Sequence, residues 1–159
     1  MKFVADSMLG RLSTWLRVLG YDTHYQSSYG EGELVSLVQA GRRLVTRDRR
    51  RWQGSGRVVC LHSDQVGEQL QELFSRLELL PEPSRWFARC LRCNDELDEA
   101  DEEEVLGKVP EYVFYQSRGH IKICRSCGRY FWPGSHRERM VRQLARWGFA
   151  CETVSYDLT

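Results

Sequence analysis

The sequence predicts an α/β protein with a parallel sheet flanked by helices, followed by a small second module and a C-terminal helix. Two observations support this prediction. Short β-favouring runs alternate with helical apolar patterns from residue 2 to about residue 78, an order typical of a parallel sheet with right-handed crossovers. Two Cys-x-x-Cys pairs follow in the second half of the chain, and such pairs are typical of a small metal-binding module.

The first unit is predicted to contain four strands and three helices. Runs of β-favouring residues place the strands at 3–5, 23–25, 44–46 and 57–61. Apolar residues at helical spacing place the helices at 8–19, 34–38 and 66–77. Gly20 and Gly41 are expected to end the first two helices. Pro81 and Pro83 follow the third helix, so we expect one α/β domain over residues 1–80.

The cysteines form the strongest motif in the sequence. Four of them stand in two matched pairs: Cys90, Cys93, Cys124 and Cys127. Each Cys-x-x-Cys turn can direct two thiolates at one ion, and two such turns complete a tetrahedral zinc site. Asn94 and Gly128 follow the pairs and tolerate the left-handed conformation that these turns often need. A redox dithiol is the alternative, but two matched pairs favour a structural Zn²⁺ with no open coordination position.

The zinc ribbon is expected to span residues 88–134. Two β-favouring runs, 112–115 and 121–123, are predicted to be the strands of its hairpin, and the acidic run over 95–104 is predicted to be a loop. The other two cysteines, Cys60 and Cys151, are expected to be buried as small apolar residues.

A final helix is predicted after the ribbon. Ser135 and Glu138 have the spacing of a capping box, and apolar residues follow at helical spacing until Gly148. We expect this helix and tail, residues 135–159, to pack on the α/β domain.

Two of the predicted strands lead into an aspartate. Asp6 directly follows the first strand, and Asp48 ends the run Leu44-Val-Thr-Arg-Asp48. Since open α/β sheets bind ligands at the carboxyl ends of their strands, we expect these two carboxylates to hold one or two Mg²⁺ or Mn²⁺ ions. Such ions can activate water and stabilise the leaving oxygen of a phosphodiester. The alternative is that both aspartates only cap or solvate the local backbone.

A catalytic metal site of this kind needs a third or fourth acid. The candidates are Glu31 and Glu33 at the start of the second helix, and Asp64 after the fourth strand. Asp64, or Ser63 before it, could instead cap the helix that follows.

Arginines cluster beside the second of these aspartates, at Arg47, Arg49, Arg50 and Arg51, with Arg11 and Arg17 as possible additions. They would attract a polyanion, because arginine makes bidentate contacts to phosphate, although a charge run can also be a solvated face. The net charge of the chain is only +1. There is no Gly-rich phosphate loop and no Gly-x-Ser-x-Gly elbow, which argues against nucleotide-binding and serine-hydrolase classes.

The chain has no continuous apolar run long enough to cross a membrane and no apolar signal-peptide segment at its start. We therefore expect a cytoplasmic protein without membrane partners.

The segments Asp6–Asp22 and Leu44–Asp48 together resemble the Mut-seven C-terminal RNAse domain family of PIN-like proteins. Cys90-Leu-Arg-Cys-Asn94 and Tyr130-Phe-Trp-Pro-Gly-Ser-His136 are similar to the zinc ribbon appended to that domain. The resemblance implies a PIN-like α/β fold, RNA as the partner and a ribonuclease activity that depends on Mg²⁺ or Mn²⁺.

The resemblance also assigns site residues. It matches Asp6 to the family's first-strand acid and Asp48 to its third-strand acid, and it assigns the second-helix acid to Glu33 over Glu31. The fourth acid of PIN nucleases has no clear counterpart, and Asp64 is the nearest candidate. Our first hypothesis is therefore an endoribonuclease with catalytic Asp6, Glu33 and Asp48. Its RNA-binding residues are predicted to be Arg11, Arg47, Arg49 and Arg50.

The alternative is a non-catalytic RNA- or protein-binding module with a degenerate PIN-like site. In that case the arginines form the binding surface, and the ribbon is a platform for further interactions. A protein partner is compatible with both hypotheses, and a partner-regulated toxin is a third reading. The sequence leaves the oligomeric state open.

Overall fold

The computed structural model describes residues 1–52 and 56–149. Its first unit is a four-stranded parallel sheet in the order β2-β1-β3-β4. The strands are β1 (Lys2–Ala5), β2 (Asp22–Tyr25), β3 (Arg43–Thr46) and β4 (Val58–Cys60). The helices are α1 (Gly10–Val18), α2 (Glu33–Gln39) and α3 (Val66–Arg76). The predicted α/β fold with helices flanking a parallel sheet is confirmed.

Strands β1 and β3 are the two inner strands, and both are buried on both faces. Phe3, Val4, Leu44 and Val45 have no exposed surface. This explains why both strands read as continuous apolar runs, since a parallel strand covered on both sides needs no polar face. Helices α1 and α3 pack on one face of the sheet, and α2 packs on the other face against Val4 and Leu44.

The chain reverses direction across the sheet between β1 and β3. It moves from β1 outward to β2 and then returns to add β3 on the other side of β1. The helices α1 and α2 cover opposite faces of the sheet, so the carboxyl ends of β1 and β3 lie at its topological switch point. Ligands of open α/β sheets bind at such a switch point.

The second unit has a three-stranded antiparallel sheet in the order β5-β6-β7. Its elements are β5 (Asp98–Glu99), α4 (Glu102–Val105), α5 (Glu111–Gln116), β6 (Lys122–Ile123) and β7 (Tyr130–Phe131). The hairpin is formed by β6 and β7 across the second cysteine pair.

The predicted strand at 112–115 is wrong, because these residues form α5. Pro110 precedes the helix, Glu111 lies in its first turn, and only Val113 is buried, against Ile121. The packing of Val113 in a helical segment has therefore outweighed the β propensity of the neighbouring aromatic residues. The predicted loop at 95–104 is also wrong, because part of this run forms β5 and α4.

The last helix, α6 (Ser135–Arg146), packs on the first unit. Leu144 is fully buried in the core of α1 and α3, and the Trp147 ring meets Trp15 edge-on at 4.7 Å. A Cβ atom at Gly67 would lie 2.4 Å from Cδ1 of Trp147, so the close approach requires glycine at this position of α3. The boundaries at 1–80, 88–134 and 135–159 stay a prediction.

The predicted capping box of α6 does not form. Gly134, in extended conformation, is the N-cap residue, and Ser135 already lies inside the helix, so its side chain makes no cap hydrogen bond. Cys60 is half-buried in β4, where full burial was expected, and Cys151 lies outside the described residues. No helix within the described ranges is both long and apolar enough to span a membrane.

Candidate functional site

Thr46 links the carboxyl ends of the two inner strands. Asp6 follows β1 directly and is only 9% exposed. The hydroxyl of the fully buried Thr46 donates to Asp6 Oδ2 at 2.7 Å and accepts from the backbone N–H of Asp48 at 3.0 Å. One hydroxyl has one proton and two lone pairs, so it can make both bonds at once. The sequence analysis missed Thr46, although its position at the end of a buried strand, two residues before an aspartate, was visible.

The other oxygen of Asp6 holds the turn that follows β1. Asp6 Oδ1 accepts from the backbone N–H of Ser7 at 2.6 Å and from its hydroxyl at 3.2 Å. Asp6 therefore caps the short 3-10 turn at Ser7–Leu9 and also faces Thr46. Capping fixes the orientation of a carboxylate that would otherwise rotate freely.

Two tyrosines fix the backbone on both sides of Asp6. The hydroxyl of Tyr29 donates to the carbonyl of Ala5 at 2.9 Å, and that of Tyr25 donates to the carbonyl of Ser7 at 3.0 Å. Burial raises the pKa of Tyr29 to about 12, so its hydroxyl stays protonated and remains a donor at neutral pH. Sequence reasoning missed both residues, because the contacts join segments that are far apart in the chain.

Asp48 begins the arginine-rich loop. Its Oδ1 accepts from the backbone N–H groups of Arg50 at 3.0 Å and Arg51 at 3.2 Å, as in an Asx turn. Its Oδ2 makes no hydrogen bond within the described part of the chain. Arg47, Arg49 and Arg50 are exposed, and none makes a salt bridge to a described acid. The turn therefore presents the predicted phosphate-binding arginines to solvent.

Glu33 lies on the other side of β1, at the start of α2. Its Oε1 accepts from the side-chain amide of Gln26 at 2.6 Å, and its Oε2 accepts from the backbone N–H of Gly30 at 2.9 Å. Glu31 and Asp64 are both exposed. Glu33 therefore ties the end of β2 to α2, and its role as third acid stays a prediction.

Neither Asp64 nor Ser63 caps α3. Gln65 is the N-cap residue, and the hydroxyl of Ser63 accepts from its backbone N–H at 3.1 Å in the preceding turn. Within the described ranges, the four cysteines are the only group of three or more His, Cys, Asp or Glu whose ligand atoms lie within 4.8 Å of one another. The structure therefore links Asp6 and Asp48 through Thr46 without bringing a third acid to them.

A cleft of about 510 Å³ opens between α1, the start of α3 and the end of α6. We call it the edge cleft. Arg11, Arg47 and Arg146 line it together with Asp64 and Glu68. Two of the predicted RNA-binding arginines thus share one concave surface, and Arg146 adds a third cation that the sequence analysis did not select.

Arg17 is not part of this basic surface. It is buried, and its guanidinium donates to the carbonyls of Thr23, Leu91 and Arg92 at 2.8–3.1 Å. The last two carbonyls lie inside the first cysteine pair. Arg17 therefore fastens the cysteine turn to α1 and β2, and its predicted role in attracting a polyanion is wrong.

Replacing Arg17 by alanine is expected to lower the free energy of unfolding by about 3 kcal/mol, because the buried carbonyl of Thr23 and the part-buried carbonyls of Leu91 and Arg92 lose their donor. Arg17→Lys should recover only part of this loss, since an ammonium group cannot reach all three carbonyls. Urea unfolding of the zinc-loaded protein measures the effect. Arg11→Ala is the matched control on the exposed face of the same helix and should change stability by less than about 0.5 kcal/mol. Equal losses in Arg17→Ala and Arg11→Ala would contradict the fastening role.

Asn94 makes a second connection between the cysteine turn and the sheet. Its Oδ1 accepts from the backbone N–H of Thr23 at 2.8 Å, and its amide donates to Asp22 Oδ1 at 2.7 Å. Burial alone would raise the pKa of Asp22, but hydrogen bonds from Arg42 and Asn94 hold it below its ordinary value. The first cysteine pair is therefore held against β2 by polar contacts on both sides.

The geometry of the four cysteines fits a zinc ion. The Sγ atoms of Cys90 and Cys127 lie 3.8 Å apart, and all four Sγ atoms lie within 4.8 Å of one another. A tetrahedron with Zn–S bonds of about 2.3 Å has edges of about 3.8 Å. Asn94 and Gly128 both have φ of 70°, which confirms the predicted left-handed turns. The four cysteines could therefore hold one zinc ion with no position left open.

Comparisons with known proteins identify one matching family. No curated protein and no solved structure matches the chain. The family described as the Mut7-C RNAse domain matches residues 1–144 and includes both strand-end aspartates and all four cysteines. The name of that family suggests a ribonuclease-like function and an interaction with RNA. Because the match covers most of the chain, this protein belongs to the Mut7-C RNAse domain family.

Proposed function

We propose that this protein is a metal-dependent ribonuclease that hydrolyses RNA phosphodiester bonds at the switch point of the sheet. The observation that carries the proposal is the bonded series Asp6–Thr46–Asp48 across the ends of β1 and β3. It joins the buried carboxylate of Asp6, through Thr46, to the backbone N–H of Asp48, whose own carboxylate is partly free and stands between the exposed Arg47 and Arg49 in the chain. The family membership supports the same reaction class.

The donors at this edge fit Mg²⁺ or Mn²⁺. Both ions prefer oxygen ligands, and Mg²⁺ is usually held by only one or two carboxylates and several waters. Asp6 has a fixed orientation, and Oδ2 of Asp48 has no bond to any described residue. When bound, the ion would supply an activated water and stabilise charge on the scissile phosphate. Asp6 and Asp48 would hold it.

The remaining residues have positioning and binding roles in this proposal. Thr46 orients Asp6, and Arg47, Arg49 and Arg50 bind the phosphates that flank the scissile bond. Glu33 is the proposed third acid. Its Oε1 is bound by the exposed amide of Gln26, a bond that an incoming water or ion can replace.

We also propose that the zinc ion is structural. Four thiolates leave no open position for substrate, and the cysteine turns are connected to the sheet through Arg17 and Asn94. In this proposal the zinc ribbon stabilises α1 and β2 of the first unit and takes no part in RNA hydrolysis.

One observation favours a second candidate function, an RNA-binding module without cleavage. In residues 1–52 and 56–149, no three carboxylates approach one another closely enough to bind one ion. A site with only two acids would bind a metal weakly, while the arginines would still bind RNA.

Cleavage of a labelled single-stranded RNA by purified protein separates the two functions. The ribonuclease requires Mg²⁺ or Mn²⁺ for cleavage and loses all activity in a chelator that leaves the zinc in place. The binding module gives no cleavage at any metal concentration but binds RNA with a strong salt dependence. Binding that is unchanged in Arg49→Ala with Arg50→Ala would show that the proposed arginines are not the RNA surface.

A further inference from the structure

The arginines of this protein divide into two groups. One group makes salt bridges to acids or hydrogen bonds to carbonyl groups of other segments, and it includes Arg17, Arg42, Arg76, Arg89, Arg118 and Arg125. The other group makes no salt bridge to any acid in the described residues, and it includes the arginines of the sheet edge and those of α6. Within this second group, Arg139 donates from Nε to the carbonyl of Ser135 in its own helix at 3.3 Å, which leaves its positive charge without a described acidic partner. The arginines of the first group support the fold, so those without a described salt bridge are the cations available to a partner.

Three arginines that make no salt bridge to a described acid form a continuous row along α6. Arg139, Arg142 and Arg146 are exposed and follow one another at spacings of three and four residues, so they share one face of the helix. The opposite face, with Met140 and Leu144, packs on the core. Glu138 is the single acid within α6. We call these three residues the arginine row.

The carboxyl end of the arginine row reaches the edge cleft. Arg146 lines that cleft together with Arg11 and Arg47. Arg47 directly follows β3 and precedes Asp48 in the chain. The edge cleft therefore connects the arginine row to Arg47, the residue that directly precedes Asp48.

The amino end of α6 opens on a second cleft of about 570 Å³, which we call the aromatic cleft. Tyr112, Phe131 and Trp132 line it, and Tyr112 is 63% exposed. The guanidinium of Arg137, which also lines this cleft, lies 4.8 Å from the centre of the Phe87 ring. Proteins that bind single-stranded RNA stack its bases on such aromatic and guanidinium planes.

The acidic run of the ribbon does not cancel this basic surface. Five of its eight acids are paired locally, because Glu96 binds Arg89, Glu102 binds Arg118, Glu99 binds Lys122, and both Asp98 and Glu104 bind Arg125. The ribbon therefore neutralises much of its own negative charge and leaves the cations of α6 without described acidic partners.

We propose that α6 is a second RNA-binding surface, along which single-stranded RNA runs from the edge cleft over the arginine row to the aromatic cleft. The 12 residues of α6 span about 18 Å, which is the length of the proposed path. Along it, the phosphates contact the arginine row, and at its end the bases stack on Tyr112 and Trp132. The identity of the ligand rests on the proposed function. Neither the row nor the aromatic cleft belongs to the carboxylate site.

The test measures binding of a labelled single-stranded RNA by the full-length, zinc-loaded protein over a series of salt concentrations. Arg139→Ala with Arg142→Ala is expected to weaken binding about 10-fold at 0.1 M salt and to reduce the salt slope by about 1.4, since each phosphate contact contributes about 0.7 for a single strand. Lys2→Ala with Arg57→Ala is the control. It removes the same charge at the amino edge of the sheet and should change affinity less than about twofold.

Tyr112→Ala tests the aromatic end independently. Tyr112 is exposed, so its loss leaves the fold intact, and we expect binding to weaken about fivefold or more. The salt slope should stay unchanged, because stacking releases no counterions. An unchanged affinity in Tyr112→Ala would overturn the stacking role.

Parallel measurement of Arg49→Ala with Arg50→Ala separates the two proposals. If the sheet-edge variant weakens binding and the arginine-row variant behaves like the control, the row is not an RNA surface, while the proposed function stands. If wild-type protein binds no RNA at any salt concentration, the proposed function fails and the α6 surface fails with it. Weakening in both variants, with the control unchanged, supports the path along α6.

Discussion

Replacing Asp6 by asparagine is expected to reduce metal-dependent RNA cleavage by at least about 100-fold. The amide keeps the size of the carboxylate and can still accept the hydroxyl proton of Thr46. It removes the negative charge that would hold the ion, and its NH₂ group cannot accept the Ser7 N–H that Asp6 accepts now. The loss should appear in the initial rate at saturating Mn²⁺, with the circular dichroism spectrum unchanged.

Asp22→Asn is the matched control for this experiment. Asp22 is also a poorly exposed, hydrogen-bonded acid, but it lies at the amino end of β2, at the opposite edge of the sheet from Asp6. Its replacement weakens the contacts to Arg42 and Asn94 and should cost about 1–3 kcal/mol of stability. The rate per folded molecule should stay at the wild-type level. Equal cleavage by wild type and Asp6→Asn would mean that the hydrolysis occurs elsewhere.

Wild-type protein is expected to carry one zinc ion per chain, and Cys124→Ser is expected to lose it and to lower the melting temperature by about 10 °C or more. Cys124 is buried and follows β6 directly, so its thiolate connects the hairpin to the first cysteine pair. Without the ion, the first cysteine turn, which Arg17 and Asn94 hold against β2, is no longer connected to the hairpin of β6 and β7. Elemental analysis and calorimetry measure the two effects.

Cys60→Ser provides the control for the zinc variant. Cys60 lies in β4, partly exposed and outside the four-cysteine cluster. This variant should retain one zinc ion per chain and lose little stability. Stoichiometric zinc in Cys124→Ser would show that the ion is bound by other residues, and an unchanged melting temperature would show that the ribbon does not need it.

The sheet could be predicted from the sequence because its signals are local. Inner strands of a parallel sheet must be apolar on both faces, and β1 and β3 show that pattern directly. The two Cys-x-x-Cys turns are equally local, since spacing within each pair fixes how the thiolates point. Asp6 and Asp48 could be selected for the same reason, because each stands at the end of a recognisable strand.

The contacts that complete the site depend on register between distant segments. Thr46 faces Asp6 because the register of β1 and β3 pairs Ala5 with Val45. The residues of neither strand alone specify that register. Tyr29 reaches Ala5 from a loop 24 residues later. The burial of Arg17 depends on where the first cysteine turn packs against α1. That position cannot be read from the sequence around Arg17, so the residue was wrongly expected on a basic surface.

The strand predicted at 112–115 failed for a related reason. Tyr112, Val113, Phe114 and Tyr115 all favour strands, but α5 needs only Val113 to be buried. The contact between Val113 and Ile121 stabilises the helix, and Ile121 lies outside the short segment from which the strand was predicted.

Anomalous scattering from crystals soaked in Mn²⁺ tests the proposed catalytic site most directly. The proposal predicts an anomalous peak between Asp6 and Oδ2 of Asp48, within bonding distance of both carboxylates, and no such peak in Asp6→Asn crystals. An empty site at saturating Mn²⁺, in crystals of protein that still cleaves RNA, would contradict the assignment of Asp6 and Asp48 as the metal ligands.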